Sequence, residues 1–346
     1  MTSTTRILAG LGVGLALILA GCGDRDSSPA ATARAAEGPA EELPDGRIAF
    51  RRYLGDAHTQ GAIFVMRSDG SGERQLTDPQ GGATDDYPDW SPDGRLIAFQ
   101  RCRPDSPCSV WTVGADGGEA QQVRFQCDHK GECDAAEPTW THDGDLIATI
   151  AEGRERHFGG EPQIQQSSLV RKNLATGEQQ SITKLTGWKG DLLSATVSPD
   201  DRTVVYQRLN SARSTPAFGQ ALFAVDMSGR HERRIAPWDL GGGDHAVFSP
   251  SGSVLFRSYA NDDSRQSDFW TVRPDGSNLR QLTHFDDGTL VLSASYSPDG
   301  EWIVHASDGV GGNADLFVMR ADGTANQPLT HTEAWDSAPD WGPPSP

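Results

Sequence analysis

Three sets of side chains in this chain have the types and spacing to do chemistry. The first is acidic: Asp85, Asp86, Asp134, Asp191, Asp244 and Asp336, joined by His245. Carboxylates gathered around one opening bind a divalent cation or a basic group on a partner. The competing role for the same groups is structural, since Asp caps loops by accepting backbone N–H bonds. The second set is four cysteines: Cys102 and Cys108 close CRPDSPC, and Cys127 and Cys133 close CDHKGEC. The third is Cys22 alone, placed directly after an apolar run.

That run, Ile7 to Ala20, follows MTSTTR, whose only charged side chain is Arg6. Roughly 14 residues span about 21 Å as a helix, short of a ~30 Å hydrocarbon core, so the run reads as a secretory signal and not a lasting membrane span. Leu19-Ala20-Gly21-Cys22 resembles a bacterial lipobox, which implies cleavage before Cys22 and a lipid on its thiol. The expected organisation is a signal over 1–21, a lipidated Cys22 with a flexible Ala-, Ser-, Pro- and Glu-rich tether to 43, a folded region over 44–342, and a tail over 343–346. No Asp follows Cys22 as an inner-membrane retention signal, because residue 23 is Gly. In an exported chain, an even number of cysteines in short loops favours the disulfides Cys102–Cys108 and Cys127–Cys133. A metal site on Cys127, His129 and Cys133 would lack a fourth ligand at recognised spacing.

The net charge of −18 disfavours nucleic acid and anionic headgroups, and its plainest use is solubility. No nucleophile elbow G-x-S-x-G and no H-E-x-x-H zinc motif occurs. Gly241-Gly242-Gly243 reads as a flexible crossover and not a phosphate loop, since no helix follows it.

The elements that must position these groups come from a repeat. DDYPDWSPDGRLIAFQ (85–100) recurs as TWTHDGDLIATI (139–150), TVSPDDRTVVYQ (196–207), VFSPSGSVLFRS (247–258) and SYSPDGEWIVHA (295–306). Each phrase reads as a strand, a tight turn and an apolar strand, with Pro presetting φ and Gly taking the left-handed corner. Six further phrases supply a third strand, a Gly turn (Gly70, Gly117, Gly177, Gly229, Gly276, Gly323) and a short fourth strand often ending Leu-Thr. Short strands with turn signals and no helical period mean all-β sheet repeats.

Residues 44–50 match only the second half of the phrase, and residues 336–341 only the first half. One unit is thus split, and a split unit closes a circle with no exposed edge between first and last sheets. The expected fold is all-β: a six-bladed β-propeller closed by N- and C-terminal strands sharing one blade. In such a meander the tight SPDG and DG turns share one face. The long segments fall on the other, including 53–61, 102–108, 153–166, 210–220, 260–267 and 307–314, together with the crossovers. Loops carry function, so the long-loop face is the expected binding face. The seven acidic and imidazole candidates enter the innermost strands there, around the channel mouth. Trp90, Trp140 and Trp341 read as core; Trp188, Trp238 and Trp335 lie near crossovers and suit a sugar or protein contact.

P-x-W-S-P-D-G-x-x-I-A-F followed by a D-G turn and Leu-Thr resembles the WD40-like PD40 repeat of TolB and its relatives, over about 300 residues. The resemblance implies the propeller; it says little of function, since such propellers serve peptidases, lyases and binding proteins. The chain departs from TolB in showing no N-terminal α/β domain and in its lipobox, and no hydrolase domain is expected. The expected function is a non-catalytic, envelope-anchored platform for a protein or a glycan, monomeric, with no cofactor beyond a divalent cation in the channel. The alternative is a metal-dependent lyase or hydrolase of the oligogalacturonate type. Of the histidines, only His245 enters an inner strand; His142 faces the other side, and His58, His129 and His157 are scattered over the loops.

Overall fold

The computed structural model describes residues 43–55, 58–104, 106–128, 133–156, 162–187, 189–210, 219–259, 266–286, 288–310 and 312–344. These form six four-stranded antiparallel sheets, each a meander. We number the blades from the shared one. Its strands, from inside outward, are Asp336–Gly342, Arg47–Tyr53, Gly61–Arg67 and Arg74–Gln75. The inner strands of blades 2 to 6 are Thr84–Trp90, Asp134–Trp140, Gly190–Val197, Asp244–Phe248 and Thr289–Tyr296. The signal, Cys22 and most of the tether lie outside the described residues, as do His129, His157 and Trp188.

The repeat phrase explains each sheet. Its second strand is an unbroken apolar run (Ile48-Ala49-Phe50, Ile97-Ala98-Phe99, Val254-Leu255-Phe256), because it is covered on both faces by neighbouring blades. Trp90, Trp140 and Trp341 are core residues as expected, each under a tenth exposed. The SPDG turn satisfies its own backbone. Ser91 Oγ donates to Asp93 Oδ1 (2.7 Å), Arg95 N donates to the same oxygen (3.1 Å), and Ser91 Oγ accepts from Leu96 N (2.9 Å). Ser198 with Asp200 and Ser297 with Asp299 repeat the arrangement.

Gly in the third turn answers a second demand. Gly229 has φ +79°, and a Cβ there would stand 2.3 Å from the Ile182 carbonyl oxygen of the preceding blade. Gly323 meets Leu282 O in the same way at 2.8 Å. The turn is therefore a packing joint between blades as well as a left-handed corner.

Closure rests on Arg51 and Arg52. Asp336–Gly342 pairs in register with Arg47–Tyr53. Arg52 forks onto fully buried Asp336, Nε to Oδ1 at 2.6 Å and NH2 to Oδ2 at 2.8 Å, and Arg51 donates to Ser337 Oγ (2.5 Å). Removing one member of a buried pair leaves the other uncompensated. Asp336→Ala is expected to cost about 3–5 kcal/mol in urea unfolding, whereas Arg95→Ala, at an exposed pair, should stay within about 0.5 kcal/mol.

Blade 6 carries a buried imidazole where blades 1, 2 and 5 carry Phe50, Phe99 and Phe256. His305 is fully buried among Phe269, Phe285 and Phe317, with Nε2 2.8 Å from Asn326 Oδ1. Burial disfavours its charged form and lowers its pKa to about 4. The neutral ring thus supports the fold above the ordinary value of 6.5, and that support is lost as pH falls through about 4. The full swing is roughly 3 kcal/mol. His305→Phe should remove this component of the acid limb between pH 6.5 and about 4, read by denaturant titration at several pH values.

Candidate functional site

Every inner strand bulges at the same place. Pairing skips between Asp86 and Asp89, Ala136 and Thr139, Leu193 and Thr196, Asp244 and Val247, and Val291 and Ala294, and in blade 1 between the partners Ala49 and Arg51. Tyr87, Glu137, Ser194, His245 and Ala338 sit at these bulges with φ near +50°. A bulge re-aims side chains, and here it turns these residues, with Ser293, into the wall of an axial channel of about 100 Å³. Tyr87 of blade 2 stacks on His245 of the opposite blade 5 at 5.1 Å between ring centres, so the channel is bridged across its width. Glu137 Oε2 accepts from Ser194 N and, at 3.4 Å, from Ser194 Oγ.

One step further along the strands, Asp340, Asp89, Thr196 and Ser295 tie four of the six blades to the next. Asp340 Oδ2 accepts from Trp90 N (2.8 Å), Asp89 Oδ1 from Trp140 N (2.8 Å), Ser295 Oγ from Trp341 N (3.1 Å) and Thr196 Oγ1 from Phe248 N (3.3 Å). Both carboxylates line the channel but sit deep in the ring. Burial raises the pKa of both, and the charge of Asp340 raises Asp89 further.

The sequence candidates fall into distinct roles. Asp85 is fully buried and held by Arg101, Nε to Oδ1 at 2.6 Å and NH2 to Oδ2 at 2.7 Å, the same fork as Arg52 on Asp336 one blade earlier. Asp336 shows a raised pKa from burial, opposed by Arg52. Asp86 pairs with Arg51 across the junction of blades 1 and 2 and caps Tyr87 N at 2.8 Å. Asp134 accepts from Cys108 N (2.7 Å), and Asp191 from Leu192 N (2.9 Å) and Ser167 Oγ. Asp244 begins its inner strand in register with Arg257; its side chain lies outside the described set. His245 alone among the seven is a bulge residue of the channel wall. Tyr87, Glu137, Ser194, Asp89 and Asp340 were missed by sequence reasoning; for all but Ser194 the signal was the adjacent Pro at position 88, 138 or 339, which marks a bulge in a strand. Among the described residues, no three His, Cys, Asp or Glu side chains are placed to hold a metal ion.

The two faces differ as the topology requires. Arg47 of blade 1 donates to Gly94 O (2.9 Å) and Asp116 Oδ1 (3.1 Å), joining it to the first and third turns of blade 2 on one face. His142 is on that face, with N and Nδ1 both bound to Asp201. On the opposite face, Gln60, Gln220 and Gln266 donate their amides to crossover carbonyls of Pro79, Gly241 and Phe285. The Gly241–Gly243 crossover is buried and follows a 3₁₀ turn at Trp238–Leu240. A Cβ on Gly242 would meet Phe256 at 3.0 Å and Arg257 O at 3.1 Å, so close packing, and not flexibility, requires these glycines. Both expected disulfides are present on the loop face, Cys102–Cys108 and Cys127–Cys133. There too Arg51 lies over the Tyr53 ring (4.4 Å), Tyr53 stacks on exposed His58 (5.2 Å), and His58 meets Trp335 (5.4 Å).

The fold and channel define a PD40-type six-bladed propeller. The model of the TolB beta propeller domain matches residues 43–241, and the chain belongs to that family. The Tol-Pal system protein TolB of Zymomonas mobilis is 35% identical over 79 residues, a stretch covering 22% of this chain and only 15% of that protein. Among solved structures, TolB from Acinetobacter baumannii aligns with a TM-score of 0.64 and 16% identity over 86% of this chain and 67% of its own. An oligogalacturonate lyase in complex with manganese aligns at 0.50 and 18% over 83% and 74%. Likeness at such identities concerns the fold alone.

The carboxylate pair makes a checkable demand. Because the folded pair holds its protons more tightly than the unfolded chain, its contribution is fully present below the ordinary Asp value and is lost as pH rises through the raised values. Asp89→Asn keeps an acceptor for Trp140 N and removes a charge. Its stability should equal that of the parent near pH 4 and exceed it at pH 8, measured by urea unfolding.

Proposed function

We propose that this chain is an exported, lipid-anchored envelope protein whose propeller is a non-catalytic platform, binding a protein, or a glycan, through its long-loop face. Residues 1–21 are the signal, Cys22 carries the lipid, and the tether to residue 43 gives a reach of ~25 Å r.m.s. if it behaves as a coil. The propeller over 44–342 acts as a monomer, with 343–346 as a tail. Two disulfides fit an oxidising compartment. The local similarity to a Tol-Pal system protein supports this reading.

The observation that carries this reading is the division of labour between the faces. The tight-turn face carries inter-blade fastenings such as Arg47 on Gly94 and Asp116, and His142 on Asp201. The loop face carries Trp335, exposed His58 and Tyr53 beside Arg51, which reaches Asp86 at the channel mouth. Aromatic rings beside Arg are the side chains that dominate binding energy at interfaces.

In-cell crosslinking of the full chain, followed by affinity purification, is the test. A partner should be recovered with the parent and with Arg95→Ala on the tight-turn face, and lost with Tyr53→Ala/Trp335→Ala. Cys22→Ala should move the protein from the membrane to the soluble fraction. A partner retained by the loop-face variant and lost with Arg95→Ala would place binding on the other face.

A further inference from the structure

Strand direction determines the face on which the chain enters the propeller. Arg47–Tyr53 is the second strand of its blade, so it runs from the tight-turn face to the long-loop face. Its Arg47 end lies among turns. Arg47 donates to Gly94 O (2.9 Å), and Gly46 O accepts from Ser68 N (3.1 Å) in the third turn of blade 1. Its Tyr53 end leads into the long loop, where Leu54 N donates to Gln60 O (2.7 Å). Residues 43–46 therefore lie on the tight-turn face, and they are fixed there. Leu43 packs against the apolar cluster that joins blades 6 and 1. A Cβ on Gly46 would stand 2.6 Å from Trp341 Nε1 and 3.1 Å from Gly342 O, so this segment is pressed onto the closing strand.

That entry point is where a lipid on Cys22 would pull. Residues 23–42 separate Cys22 from Leu43. A coil of that length has a reach of ~25 Å r.m.s.. The seven residues of Arg47–Tyr53 rise roughly 23 Å from one face to the other. For the long-loop face to meet the membrane, the tether must round the rim and run back along that depth, which takes up nearly its whole reach. With the tight-turn face toward the membrane, the same coil keeps its conformations, and chain entropy favours that side. The charge of the face agrees. Exposed Arg67, Arg95, Arg202, Arg230 and Arg273 interleave there with the turn carboxylates, so an acidic chain presents a face of mixed sign. Leu174, a large apolar side chain exposed on a third turn, lies on it as well.

We propose that the propeller stands with its tight-turn face toward the membrane that holds Cys22 and its long-loop face turned to the aqueous side. The orientation rests on the anchored reading of Cys22 and is independent of which partner the loop face takes.

Energy transfer on vesicles tests it. The full-length lipidated protein, with both disulfides oxidised, carries a donor dye on one introduced cysteine. Arg95→Cys and Leu174→Cys mark the tight-turn face; Thr59→Cys and Glu333→Cys mark the loop face. All four positions are exposed, so each variant should melt with the parent. Phosphatidylcholine vesicles carry the acceptor on a headgroup-labelled lipid. Transfer from both tight-turn positions should exceed transfer from both loop-face positions by roughly twofold or more, as a strand length of added distance requires. Equal transfer from the two faces, or stronger transfer from the loop face, would overturn the orientation and leave the anchor standing. Mass spectrometry that finds Cys22 without lipid would instead remove the anchored reading, and the orientation with it.

Discussion

The structure depends on one constraint: a ring of sheets is stable only if its first and last strands meet in register. Six blades pack face to face through apolar clusters, and each cluster takes residues from two neighbours. That packing is non-directional, so it holds the blades together without fixing register. Register is fixed by the pairing of Asp336–Gly342 with Arg47–Tyr53 and by the fork of Arg52 on buried Asp336. A desolvated ion pair adds little net stability, but its geometry tolerates no slip, and a one-residue slip would strand both charges.

The same economy of position recurs around the ring. Residues that end the second strand reach forward to the inner strand of the following blade: Arg51 to Asp86, Gln100 to Glu137 N, Arg257 to Val291 O. Residues one step past the bulge do so again, through Asp340, Asp89, Thr196 and Ser295. Two partial belts of inter-blade bonds restrain the inner strands. The bulges set between the belts hold five non-glycine residues at positive φ, a conformation that persists only where its surroundings over-determine it. The axial wall of Tyr87, Glu137, Ser194 and His245 is therefore a rigid construction, and loop-face chemistry is built on a fixed frame.

Much of this was legible in the residues. The SPDG phrase marks its own strands and turn because Ser91 and Asp93 serve the backbone locally, and the split unit foretells the shared blade. Both disulfides follow from cysteines six residues apart in short loops. The destination of each carboxylate was harder to read, because the bulge breaks the alternation on which facing is inferred. It turns the residue at position 87 toward the axis, while Asp85 two residues earlier is buried against Arg101. Pro88, Pro138 and Pro339 were the trace of that break. Gly241–Gly243 reads as loose and is tight, since local composition carries no information about what packs on it. The eight-residue outer strand of blade 3, Gln179–Thr186, was equally hidden, because its partner strand, Pro162–Lys172, extends into the segment 153–166 that reads as a loop.

Native-state hydrogen exchange, resolved by residue, tests the closure most directly. If the ring is one cooperative unit clasped by its terminal strands, the amides of Ile48–Arg52 and Ser337–Trp341 will exchange only through the global opening, with the same free energy and denaturant dependence as Ile97–Phe99 in blade 2. Exchange of Ser337–Trp341 through a local opening well below the global value, while blades 2 to 6 stay protected, would contradict the account: the ring would then hold without its clasp.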